Sequence, residues 1–144
     1  MEPTWILVAD EARARLFRVE RPRGPLLEEA DFVNPEERLP EHELGADEPG
    51  RVRGPGGKQH SYGPDAGMRA HEAERFAGEL AKHLRQGREQ GRFRRLYLAA
   101  APHFLGALRH ALDQHTAALV VDSYDKDLVR HTAEDIRGHL PYRL

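Results

Sequence analysis

Apolar residues gather in short runs near both ends of the chain and thin out between them. Trp5-Ile6-Leu7-Val8-Ala9 is apolar without a break, the pattern of a strand covered on both faces. Asp10-Glu11 interrupts it, and Arg13 to Phe17 then alternates charge with apolar residues, as a half-exposed strand returning antiparallel would. Leu26 to Val33, bounded by Pro25 and Pro35, supplies a third strand. No apolar period survives from about Asn34 to Gly67, a stretch that reads as a long Pro/Gly-rich loop.

Beyond the loop the period changes to three and four. Ala73, Phe76, Ala77, Leu80, Ala81 and Leu84 predict an amphipathic helix over roughly Arg69 to Gln90, with Gly91 as its left-handed stop. Leu96 to Ala100 is a second covered strand. Pro102 opens a helix with Phe104, Leu105, Leu108 and Leu112 on one face. Ala117 to Val121 reads as a third covered strand, and Thr132 with Asp135 as the capping box of a short last helix. The order predicts a single α/β domain over residues 1–144. Its mixed sheet of about five strands carries helices on its faces, in a ribonuclease-H-like layout with right-handed parallel crossovers.

Composition narrows the class. A chain of 144 residues without cysteine excludes disulfides, thiolate catalysis and thiolate metal sites. No apolar run reaches the length of a membrane span, and Met1-Glu2-Pro3 lacks a charged-then-apolar leader, so the reading is a soluble, cytoplasmic protein without membrane contact. The net charge of −2 argues against wholesale coating of nucleic acid, but charge is unevenly spread. Glu28 to Glu48 holds nine acidic residues against Arg38 alone, whereas Arg51, Arg53, Lys58, His60 and Arg69 follow with Asp65 as their one acidic neighbour.

Within this basic stretch Gly54-Pro55-Gly56-Gly57-Lys58-Gln59-His60 joins backbone freedom to a carboxamide, a cation and an imidazole. Paired glycines admit close approach of a ligand, and their amides can face an anion. The nine histidines show no ligand spacing: His71-Glu72-Ala73-Glu74-Arg75 has arginine where the second ligand of a His-Glu-x-x-His site belongs. Neither metal nor cofactor is expected. Arg85, Arg88, Arg92, Arg94 and Arg95 suit the negative end of a helix dipole, or a phosphate-contacting patch.

Four segments in order carry a resemblance. They are Pro3 to Asp10 with Ala12-Arg13-Ala14-Arg15-Leu16-Phe17, His71 to Ala77, Ala101-Pro102-His103-Phe104-Leu105-Gly106, and Asp125-Lys126-Asp127-Leu128. Together they resemble the bacterial family named "protein required for attachment to host cells". That family is similar in fold to the middle domain of archaeal and eukaryotic peptide-chain release factors, where a Gly-Gly-Gln loop promotes hydrolysis of the peptidyl-tRNA ester. By this resemblance Gly56, Gly57 and Gln59 are the catalytic positions, with Lys58 interrupting the tripeptide. Arg51, Arg53, Lys58, His60 and Arg69 would then contact ribosomal RNA or tRNA.

Topology supplies a second candidate. Ligands of α/β sheets favour the carboxyl ends of parallel strands, where Asp10, His103, Asp125 and Lys126 fall. Acid–base work is open to this set; so is a purely structural use, with Asp10 turning the hairpin and Lys126 pairing with an aspartate. The resulting expectation is a translation-associated factor binding ribosome or tRNA, with ester hydrolysis at Gln59. The alternative is a non-catalytic interaction protein in attachment to host cells or surfaces. A third reading is a small-molecule enzyme using Asp10, His103 and Lys126.

Overall fold

The computed structural model describes residues 3–35, 55–141 and 144, with residues 55–70 described by their backbone alone. Strands β1 (Thr4–Ala9), β2 (Arg13–Val19) and β3 (Leu27–Val33) open the chain. Helix α1 (Pro55–Glu89), strand β4 (Arg95–Ala100), helices α2 (Pro102–Ala111) and α3 (Gln114–Ala117), strand β5 (Val120–Tyr124) and helix α4 (Ala133–Gly138) follow. One mixed five-stranded sheet results, in the order β3-β2-β1-β4-β5. β1 pairs antiparallel with β2 and parallel with β4, β2 pairs antiparallel with β3, and β4 pairs parallel with β5. The sequence reading of a mixed α/β sheet holds.

Alternation along the covered strands sends side chains into two cores. Trp5, Leu7, Leu16, Leu96 and Leu98 pack with Phe76, Leu80 and Leu84 of α1 and with Phe104 and Leu108 of α2. On the other face Ile6, Val8, Phe17, Val19, Tyr97 and Ala99 meet Leu128, Val129, Ile136 and Leu140. A strand whose two faces are both buried must be apolar throughout, which is why β1 and β4 carry unbroken runs. Gly91 takes φ +70°, Gly91 N–H donates to Arg88 C=O (2.9 Å) and Arg92 N–H to Gly87 C=O (2.8 Å), the paired bonds that close a left-handed helix stop. Thr132 caps α4, its Oγ1 accepting from Asp135 N–H at 3.1 Å.

Two expectations need correction. The long helix begins at Pro55 rather than near Arg69, so Gly56, Gly57, Lys58, Gln59 and His60 stand on helical backbone and not in a loop. An apolar period reports burial against a core, so its loss over 55–67 carried no information about backbone conformation, and proline fits a first helical turn. The other residues of the expected loop, 36–54, lie outside the described residues. The third covered strand is also displaced, from Ala117–Val121 to Val120–Tyr124. Asp113 accepts hydrogen bonds from His115 N–H and Thr116 N–H, both 3.1 Å, which starts the helical turn Gln114–Ala117 and takes Ala117 out of the strand. Being at the sheet edge, β5 is partly exposed, with Val121 47% accessible.

Candidate functional site

β1, β4 and β5 run parallel, so their carboxyl ends share one edge, and Asp10, His103, Asp125 and Lys126 all follow those ends. Shared position does not become a shared constellation. The Asp10 carboxylate accepts from Ala12 N–H (2.8 Å) and Arg13 N–H (2.9 Å), and Asp10 N–H donates to Arg13 C=O (2.9 Å). Its side chain closes the β1–β2 turn, the structural use. His103 is exposed in the first turn of α2. Lys126 Nζ lies 3.5 Å from His139 Nδ1 on α4. The His139 ring meets that of His131 edge-on, and His131 Nδ1 stands 3.9 Å from Asp135. Among the described residues no hydrogen bond or ion pair joins Asp10, His103, Asp125 and Lys126 to one another.

Arg51 and Arg53 lie outside the described residues. Gly56, Gly57, Lys58, Gln59, His60 and Arg69 belong to α1 by their backbone, and their side chains lie outside the described part. Much of the arginine cluster around the end of α1 is used within the fold. Arg88 Nε donates to Thr116 Oγ1 at 3.0 Å, Arg85 stands 3.8 Å from Glu89, and Arg92 pairs with Glu29 while its guanidinium lies 5.5 Å from the Trp5 ring.

Two clusters were missed. Arg15 donates to Glu28 (3.0 and 3.1 Å), to Val129 C=O (2.9 Å) and to His131 C=O (2.6 Å), stapling β2 to β3 and to the segment before α4. Its hydrogen bond and charge hold the Glu28 carboxyl below its ordinary range, while the hydrogen bond with Glu28, burial and the Glu28 charge push Asp31 up. The second cluster surrounds Trp5, whose ring stacks on Phe93 (centroids 4.6 Å apart) and on His83 (6.0 Å). Burial, reinforced by the Arg92 charge, pushes the His83 imidazole below its ordinary value. The alternation of Arg15 with apolar neighbours announced a strand, but nothing local announced partners more than a hundred positions away.

The fold defines a mixed α/β domain whose central strands β1 and β4 are buried on both faces. The model of the family described as "Protein required for attachment to host cells" matches residues 5–140, and the chain belongs to that family. No curated protein matches the chain. This membership overturns the translation-factor reading: the matched family is one of attachment, and nothing in the match indicates a release factor, ribosome or RNA. Among the described residues no helix is long and apolar enough to cross a membrane.

Proposed function

We propose that this protein is a non-catalytic interaction protein in attachment to host cells. The observation that carries the reading is the family match, which runs through nearly the whole described fold. The state of the carboxyl-end crevice supports it: Asp10 is committed to a turn, Lys126 leans to His139, and His103 and Asp125 face solvent unlinked to either. Such an arrangement offers exposed polar groups to a partner. The partner contact is placed at that crevice, with His103, Asp125 and Lys126 as its polar groups.

The test is quantitative adhesion to cultured host cells by a strain lacking the gene, complemented by wild type or by a His103→Ala, Lys126→Ala variant. Loss of adhesion on deletion and its return with wild type are expected, with weaker return for the variant. A deletion strain that adheres normally overturns the attachment reading. Full rescue by the variant removes the crevice from it and leaves the rest standing.

A further inference from the structure

A cleft of about 690 Å³ opens at the other end of the sheet, where β4 begins. Pro22 and Arg23 of the β2–β3 turn, Arg95 and Tyr97 of β4, and Pro141 and Leu144 beyond α4 line it. Its volume falls in the range of small-ligand sites.

The turn is built against ordinary backbone preference. Gly24 N–H donates to Arg21 C=O at 2.9 Å, with Pro22 second and Arg23 third in the turn, and Arg23 has φ +64°. Glycine or asparagine ordinarily fills such a position, because a larger side chain crowds the backbone there. Among the described residues Arg23 is the one non-glycine with a positive φ. The strained turn sets Arg23 in the lining of the cleft.

The walls are also tied together. Arg137 Nε donates to Gly24 C=O and its Nη1 to Pro141 C=O, each at 3.0 Å, so the turn and the C-terminal wall are fixed relative to each other. Tyr97 is 4% exposed and packs in the core with Ile6 and Val8. Its hydroxyl lies 3.4 Å from Arg95 Nη2, and among the described residues Arg95 forms no ion pair. Two guanidinium groups and a phenol thus meet three apolar residues in a prearranged cleft. Guanidinium forks match carboxylates, and prolines with leucine offer surface to a hydrocarbon body.

We propose that this cleft binds a small organic anion, its carboxylate held by Arg95 and Arg23 and its apolar body against Pro22, Pro141 and Leu144. This stands apart from the attachment reading and does not depend on it. Benzoate, phenylacetate and the neutral benzamide are titrated into the full chain, followed by amide ¹⁵N–¹H correlation spectra. Saturable shifts at Arg23, Arg95, Tyr97 and Leu144 are expected with both carboxylates, and binding about tenfold weaker with benzamide. Arg95→Gln and Arg23→Gly are each expected to weaken benzoate about tenfold. Arg23→Gly should at the same time raise the melting temperature, since glycine adopts the left-handed angle freely. A weaker ligand in a more stable protein separates a binding role from a structural one. Absence of saturable shifts at these residues, equal binding of benzamide, or wild-type affinity in either variant overturns the proposal.

Discussion

Gly87 lies in α1 against the Trp5 ring. A Cβ built there would stand 2.5 Å from Trp5 Cη2, 2.6 Å from Cζ3 and 3.4 Å from Phe93 Cε1. Carbon atoms settle about 3.5–4.0 Å apart, so a methyl group overlaps the indole by about 1 Å. The ring has little room to retreat, being 1% exposed and stacked against Phe93 and His83. Overpacking of this kind costs about 1–3 kcal/mol, and a rigid, buried ring stacked on two neighbours places the cost near the top of that range. Exchanging glycine for alanine inside a helix returns up to about 1 kcal/mol of propensity. Gly87→Ala is therefore expected to destabilise by about 2 kcal/mol, a fall of roughly 6 °C in melting temperature for a chain of this size. Gly78 sits in the same helix with nothing within 4 Å of its would-be Cβ. Gly78→Ala keeps the propensity gain alone and should raise stability by about 0.5–1 kcal/mol. Circular dichroism melts and urea titrations measure both, with fluorescence of the single tryptophan reporting ring displacement. Equal or greater stability of Gly87→Ala relative to wild type would refute the claim that α1 is seated on Trp5 at contact distance.

Two further outcomes follow from the missed clusters. Arg15→Ala removes the hydrogen bonds to Glu28, Val129 C=O and His131 C=O, and should cost about 2–3 kcal/mol by urea titration; a loss below 0.5 kcal/mol, the level of an ordinary surface change, would make the staple incidental. His83 is held below its ordinary value of 6.5 first by burial and then by the Arg92 charge, so below that pH the unfolded chain takes up a proton that the folded chain resists. Stability should fall as pH drops below about 6.5 until the folded-state value is passed, and His83→Phe should flatten that part of the curve; an unchanged slope in the variant would assign it to other groups.

What the sequence disclosed was what burial writes into local pattern. The unbroken runs of β1 and β4, the stripe from Ala73 to Leu84, the stop at Gly91 and the cap at Thr132 each depend on neighbours within a few positions, and each is where the pattern put it. The start of α1 was illegible for the complementary reason, since a helix without an apolar stripe leaves no period to read. At the carboxyl-end crevice the topology placed Asp10, His103, Asp125 and Lys126 along one edge, but orientation is decided by nearer partners. Two backbone amides are two and three residues from Asp10, and a turn takes the carboxylate before a distant imidazole can.

The β2–β3 pairing shows the limit of period reading most directly. Leu16 faces Ala30, yet Phe17 faces Glu28, so Glu29 is an extra residue in β3. Strict alternation from Ala30 and Phe32, which pack on the Trp5 core, would send Glu28 into that core as well. The bulge reverses the two glutamates. Glu28 turns to the face of Phe17, where Arg15 takes it and Asp31 stands beside it, and Glu29 turns to Arg92 and Arg18. The altered carboxyls of Glu28 and Asp31 follow from the same slip, because it sets both acids on one face around one guanidinium. A strand with three acids among seven residues can border a hydrophobic core because one residue is left out of register, and no count of polar and apolar positions contains that residue's identity.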